Sequence, residues 1–260
     1  MLVLIAAVGL LVGVTLGALG AGGSILAVPA LVYLAGQGAV EAATGSLVVV
    51  GTSALVGVLP HLRARRVHLG RGAAFGVLGV GGAYAGSQLS VDVPAAVLMS
   101  SFAGLMLVVA ALMVLRQRAD GRSRAPGDAE PPRPAWRSVA VLVATATGVG
   151  LLTGFFGVGG GFAVVPALVL ALRLPIRAAV GTSLVVIAVN SASALGFRLG
   201  GGVALDWPVV GTFTAAAVVG SLVGARLVSR VRPAVLERAF LVLLVTVALY
   251  TAVRSVPVLL

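Results

Sequence analysis

The chain has 260 residues, of which 60% are hydrophobic and only 10% are charged. Because soluble domains usually carry about 25% charged residues, this composition excludes an ordinary soluble fold. The formal net charge is +11. The chain has 18 arginines and no lysine. They cluster in short segments between apolar runs, which indicates membrane orientation and excludes nucleic acid as the expected partner. The absence of cysteine excludes disulfides, thiol catalysis and cysteine-bound metals.

Apolar segments follow one another along the chain, five on each side of a polar interruption. In the first half they lie near residues 2–18, 24–36, 42–60, 70–90 and 94–115. In the second half they lie near residues 138–155, 161–172, 178–197, 207–228 and 236–253. No basic residue precedes Arg63, so we expect the start of the chain to belong to the mature membrane domain and not to a signal peptide.

The second segment of each half is short, with about 12 or 13 residues and a proline. A full span needs about 20 residues. We therefore predict an all-α integral membrane protein in which the first two segments of each half form a helical hairpin with a glycine-rich tip.

The two halves repeat one another at a constant offset of 137 residues. Residues 17–32 (GALGAGGSILAVPALV) align with residues 154–169 (GFFGVGGGFAVVPALV), and nine of the 16 positions are identical. Apolar low complexity would not readily align four glycines and a proline. The sequence therefore predicts a first membrane repeat over residues 1–115, a linker over residues 116–137 rich in Pro, Gly and charge, and a second repeat over residues 138–260.

The arginines predict how the halves are oriented. Four of them lie between the third and fourth segments of the first half, but four lie between the fourth and fifth segments of the second half. If basic loops face the cytoplasm, the two halves are inverted repeats, and 16 of 18 arginines lie inside together with the linker. Inverted repeats with broken helices are a recurrent transporter architecture, with the substrate near the midplane where the repeats meet.

The glycine tips are the first candidate binding residues. Each tip precedes the start of a helix, where free N–H groups and a partial charge of roughly +0.5 can hold an anion. Two tips entering from opposite sides could converge on one anion. The alternative is that glycines only permit close helix packing, which we expect for Gly82 with Gly86 and for Gly220 with Gly224. The candidate residues of the tips are Gly20, Gly22, Gly23, Ser24, Gly157, Gly159, Gly160 and Gly161.

Polar side chains on the third segments are the second candidate set: Ser46 in the first half, and Thr182, Ser183 and Asn190 in the second. Hydroxyl and amide groups can donate to an anion, and the alternative is hydrogen bonding within or between helices. No acidic residue lies at a predicted midplane, which favours an anionic or neutral substrate. The sequence provides no metal-binding pattern and no residues arranged for catalysis, so we expect no cofactor and no enzymatic activity.

The glycine and hydroxyl blocks resemble those of the sulfite exporter TauE/SafE family, also called the 4-toluene sulfonate uptake permease family. The blocks are GALGAGGSILAVPAL with ATGSLVVV, and GFFGVGGGFAVVPALVL with VGTSLVVI. The resemblance covers the chain apart from the linker. It implies a bacterial inner-membrane transporter of sulfur-containing anions such as sulfite, sulfoacetate or organosulfonates.

The leading hypothesis is a multi-pass anion transporter that uses alternating access of its two halves. Its expected partners are a small anionic substrate and the lipid bilayer, and homo-oligomerisation stays open. The alternatives are a passive anion channel and a membrane scaffold subunit that transports nothing. The sequence leaves open the direction of transport and the coupling ion.

Overall fold

A computed structural model of the chain describes residues 2–20, 22–89, 93, 95–122, 135–156, 161–199 and 205–255. These residues form ten helices and no strand, and seven of the helices are long and apolar enough to cross a membrane. The predicted all-α membrane fold is confirmed. The helices are α1 (Leu2–Leu19), α2 (Gly22–Tyr33), α3 (Ala39–Arg63), α4 (Leu69–Leu89), α5 (Ala95–Arg122), α6 (Ala135–Phe156), α7 (Gly161–Leu170), α8 (Ile176–Leu199), α9 (Trp207–Arg230) and α10 (Pro233–Ser255).

The short second segment of each half is helical, as predicted. Helices α2 and α7 have 12 and 10 residues and contain Pro29 and Pro166. Helix α4 has 21 residues but is not among the seven spanning candidates, because its many glycines lower its mean hydropathy. Helix α5 continues to Arg122 and α6 begins at Ala135, so both ends of the predicted linker are helical; residues 123–134 lie outside the described part of the chain.

Paired glycines bring helices of opposite halves into backbone contact. A Cβ atom on Gly13 or Gly17 of α1 would overlap the carbonyl of Ala217 or Ser221 on α9. The repeat equivalents Gly150 and Gly154 of α6 meet α4 in the same way, at the carbonyls of Gly79 and Ala83. Close packing between small residues is a principal source of helix association in lipid. The packing role expected for Gly82, Gly86, Gly220 and Gly224 is also confirmed, since each meets the backbone of α6 or α1.

Helices α3 and α8 are equivalent under the repeat and run in opposite directions. A Cβ atom on Gly51 would lie 2.9 Å from Ser191 Cβ, and one on Gly181 would lie 3.1 Å from His61 Cβ. As the position on α3 rises from 51 to 61, its partner on α8 falls from 191 to 181. The two helices are therefore antiparallel.

The same reasoning gives the directions of four more helices. The glycine contacts show that α1 and α3 run parallel to α9, and that α4 runs parallel to α6 and α8. Helices α1, α3 and α9 thus point one way, and α4, α6 and α8 point the other way. Each of these helices is antiparallel to its repeat equivalent. Insertion of the two halves into a bilayer in opposite senses stays a prediction.

Two hydrophobic cores form, and each mixes the two halves. The first core takes its side chains from α1, α2, α3, α8 and α9, and the second mainly from α5, α7, α8 and α10. Phe213 of α9, from the second half, is fully buried in the first core. Phe75 of α4, from the first half, is fully buried in the second core. The packing units therefore cross the boundary between the sequence repeats.

Arginine-rich segments of both halves lie at one end of the helix bundle. Arg63, Arg66 and Arg226 line one cavity between α3 and α9. The Arg177 guanidinium at the start of α8 donates to the Val231 carbonyl just after α9, at 2.6 Å. The end of α5, the α7–α8 turn and the start of α10 surround a second cavity. The segments at this basic end are residues 63–71, 116–118, 173–177 and 226–238.

We predict that Gly150→Ala destabilises the protein, because a Cβ atom there would overlap the Gly79 carbonyl. Overpacking of this kind costs roughly 1–3 kcal/mol. The matched control is Gly148→Ala in the same helix, where a Cβ atom meets nothing within 4 Å. Melting temperatures of the detergent-purified variants should fall for the first and hold or rise for the second. Equal melting temperatures would contradict the proposed α4–α6 contact.

We also predict that the basic end faces the cytoplasm, because positively charged loops are retained there. The chain contains no cysteine, so single cysteines can be introduced without background. Arg65→Cys reports on the basic end, and Gln88→Cys at the end of α4 reports on the opposite end; both positions are exposed. In intact cells a membrane-impermeant maleimide should label position 88 only. Labelling of position 65 in intact cells would show that the basic end faces outward, opposite to the prediction.

Candidate functional site

The tip of the first hairpin is built around Gly20. This residue adopts φ +76°, which is unfavourable for residues with a side chain. Its N–H donates to the Leu16 carbonyl at 2.8 Å and closes α1. Helix α2 then starts at Gly22 and returns along α1, where Gly23 is buried against Leu16. The sequence correctly identified a tight reversal of the chain at these glycines.

This tip lies against helices of the second half. A Cβ atom on Gly20 would overlap Ser183 Oγ on α8 and would lie 3.1 Å from both the Val180 carbonyl and Val165 Cγ2 on α7. Only a glycine fits between the three groups. We call Gly20, Val165, Val180 and Ser183 the tip site. It brings together two of the residues that the sequence singled out, Gly20 and Ser183.

The predicted serines use their hydroxyl protons within their own helices. Ser183 Oγ donates to the Val180 carbonyl, and Ser46 Oγ donates to the Ala43 carbonyl, both at 2.8 Å. This is the local bonding named as the alternative to anion binding. Each oxygen keeps acceptor capacity, and a change of side-chain rotamer would be needed before either hydroxyl could donate to a bound anion.

Thr182 lies on another side of α8, and its contacts are at the basic end. It is fully buried, and its hydroxyl oxygen accepts a hydrogen bond of 3.2 Å from the backbone N–H of His68. Its methyl group packs against Gly72 of α4. Thr182 therefore ties the α3–α4 turn to α8 and does not reach Gly20.

Asn190 carries a buried oxygen that has no partner. Its Oδ1 makes no hydrogen bond, and a Cβ atom on Gly79 of α4 would lie 3.9 Å from it. At the equivalent position 137 residues earlier, Ser53 is fully buried and its Oγ also has no partner. Leaving a buried polar atom unsatisfied costs roughly 1–3 kcal/mol, so such atoms call for a ligand, a water molecule or a functional reason. Here the same feature occurs at equivalent positions of α3 and α8.

The second hairpin tip is only partly described. Gly161 is buried and begins α7, whereas Gly157, Gly159 and Gly160 lie outside the described residues. Gly22 and Ser24 belong to the first turn of α2. Convergence of the two tips on one ligand stays a prediction. Within the described residues, the first tip contacts the second hairpin at Val165, one turn into α7.

Comparison with known proteins agrees with this architecture. The profile of the family described as "Sulfite exporter TauE/SafE" matches residues 5–251. The chain belongs to the sulfite exporter TauE/SafE family. A relative from Xylella fastidiosa (strain 9a5c), named "Probable membrane transporter protein", is 33% identical over 94% of this chain and 92% of its own length.

More distant relatives carry similar names. "Probable membrane transporter protein YunE" of Bacillus subtilis (strain 168) is 28% identical over 73% of this chain and 75% of its own length. A relative from Methanocaldococcus jannaschii, also named as a probable membrane transporter protein, is 27% identical over 75% of this chain and 71% of its own length. No solved structure matches the chain. The chain is thus a membrane transporter of the TauE/SafE family with several spans.

His61 is a residue of this TauE/SafE protein that the sequence analysis did not single out. His61 is 1% exposed, and its Nε2–H donates to the Gly17 carbonyl near the end of α1, at 3.2 Å. It also borders the cavity of about 430 Å³ at the basic end. The third apolar segment of the sequence ends at residue 60, whereas α3 continues to Arg63, so only the structure places this ionisable side chain inside a span. Ser53 could have been found from its equivalence to Asn190.

We predict that His61→Ala lowers the free energy of unfolding by roughly 1–3 kcal/mol, because it leaves the buried Gly17 carbonyl without its donor. The matched control is His68→Ala, whose side chain is exposed and whose backbone bond to Thr182 is kept. Thermal unfolding in detergent should separate the two variants. A His61→Ala melting temperature equal to that of His68→Ala would show that the hydrogen bond does not support the hairpin.

Proposed function

We propose that this TauE/SafE protein carries a small sulfur-containing anion, of the class of sulfite, sulfoacetate or an organosulfonate, by alternating access. The observation that carries the proposal is the tip site, where the hairpin of the first half ends against Ser183 and Val165 of the second half. In transporters built from inverted repeats the substrate binds where the repeats meet and where helices are interrupted. The interruption at Gly20 meets both conditions.

An anion is favoured by the charges around the site. The described residues of the tip site are apolar or neutral. Helix α7 begins at Gly161, one turn before Val165, so the free N–H groups and partial positive charge of its N-terminus lie close to the tip site. Arginines at the basic end would raise the local concentration of anions near the cavity beside His61. The restriction to sulfur-containing anions rests on the family description alone.

Alternating access would move the two cores and not the two sequence halves. The glycine contacts hold α1 on α9 and α4 on α6, so each of these pairs is expected to move as one body. The tip site and the unpartnered atoms of Ser53 and Asn190 lie on or beside α3 and α8. Helix α8 contributes to both cores, and α3 packs against it from the first core. Sliding of α3 against α8 would expose these groups to one side and then to the other.

The test of the proposal is flux into proteoliposomes that contain the purified full chain. Saturable uptake of sulfite or sulfoacetate would support the carrier, and dependence on a pH gradient would reveal proton coupling. Flux that rises in proportion to concentration would support a passive channel instead. Folded protein without flux of either anion would overturn the assignment of sulfur-containing substrates.

The site assignment is tested by Gly20→Ala, whose Cβ atom would overlap Ser183 Oγ. We expect flux to fall at least about tenfold, which corresponds to roughly 1.4 kcal/mol. The matched control is Gly36→Ala, because Gly36 has a similar φ of +67° but nothing within 4 Å of an added Cβ atom. Both variants carry the same kind of backbone strain. Normal flux in Gly20→Ala would therefore remove the tip site from the transport pathway.

A further inference from the structure

The second cavity at the basic end has a volume of about 680 Å³ and lies apart from the tip site. It is bounded by the end of α5, the α7–α8 turn and the starts of α8 and α10, and neither α1 nor α2 contributes to it. Its floor is apolar, with Met113 and Leu174 among its residues. Its polar side chains are Arg116, Gln117, Arg173, Arg177, Glu237 and Arg238.

Among the residues that the structure describes, four arginines and one glutamate line this cavity, with a formal charge of +3. Glu237 accepts a hydrogen bond of 3.0 Å from Gln117 Nε2 on the cavity wall. Arg173 and Arg238 stand at exposed positions at the mouth. Guanidinium groups bind phosphate oxygens in pairs of hydrogen bonds, so this arrangement suits a phosphate group.

Exposed apolar residues occur on the helices that form the cavity wall. Leu115 of α5 and Val235 of α10 are next to cavity residues in the chain and are 59% and 50% exposed. An acyl chain could lie along these apolar faces while its headgroup enters the cavity. A free anion would gain nothing from them. Basic pockets between helices at the cytoplasmic side are typical of sites for acidic lipid headgroups.

The repeat equivalent of this cavity wall lacks the arginines. The α2–α3 turn, which is the repeat equivalent of the α7–α8 turn, reads LAGQG over residues 34–38 and contains no arginine. We propose that the cavity formed by α5, the α7–α8 turn and α10 binds the headgroup of an acidic phospholipid. This inference does not depend on which solute the protein carries.

The experiment titrates the detergent-purified full chain with dioctanoyl phosphatidylglycerol and measures the dissociation constant. Dioctanoyl phosphatidylcholine and inorganic phosphate are titrated in parallel. We expect saturable binding of phosphatidylglycerol and much weaker binding of the other two. The double variant Arg173→Gln with Arg238→Gln should raise the dissociation constant about 30-fold, since each arginine near an anionic headgroup contributes a factor of about five.

The matched control is Arg65→Gln with Arg230→Gln. These arginines lie at the same basic end but outside the cavity, and both are exposed. Arg65 also has the same φ of +53° as Arg173, so the two double variants change charge and backbone alike. The control should stay within about twofold of the wild-type chain, below the factor expected for one contacting arginine. If the first double variant does not fold, Arg238→Gln alone should weaken binding about fivefold.

Three results would overturn the proposal. Equal binding of phosphatidylcholine would show that only the apolar surface is recognised. Saturable binding of inorganic phosphate with the same dependence on Arg173 and Arg238 would assign the cavity to a free anion. An equal loss in both double variants would show that the net charge of the basic end, and not this cavity, attracts the lipid.

Discussion

Direct contact between backbones at paired glycines is the constraint on which the rest of the structure depends. In lipid, helices gain little by burying apolar side chains against one another, so association relies on close packing. Gly13 and Gly17 provide it between α1 and α9, and Gly150 and Gly154 provide it between α6 and α4. Each contact joins one helix from each half. The two cores, the antiparallel crossing of α3 and α8, and the shared basic end are all compatible with these contacts.

The central helices α3 and α8 each carry a buried polar atom without a partner, at positions that are equivalent under the repeat. These atoms are Ser53 Oγ and Asn190 Oδ1. Most other described hydroxyls bond to the preceding turn of their own helix, as Ser46 and Ser183 do. A pair of unsatisfied atoms in the middle of the molecule lowers stability. It also provides polar contacts that a hydrated or charged solute would need on its way between the two cores.

Local patterns identified much of the fold. The short segments with Pro29 and Pro166 are helices, and the tip at Gly20 reverses the chain as expected. The site was predicted less completely. Ser183 does meet Gly20, but Thr182 faces the α3–α4 turn, one residue away along the same helix. A difference of one residue turns a helical side chain by about 100°, and sequence repeats do not reveal which face meets the tip.

The sequence by itself determined the membrane class, the duplication, the first hairpin tip and the clustering of arginines, because each of these is a local property of composition or spacing. Only the tertiary structure decided that α9 packs in the first core and α4 in the second, and that His61 supports the hairpin through Gly17. The physical reason is that glycine permits contact with any suitably shaped neighbour. The geometry of both helices decides which neighbour a glycine contacts. This geometry cannot be read from the sequence of one segment.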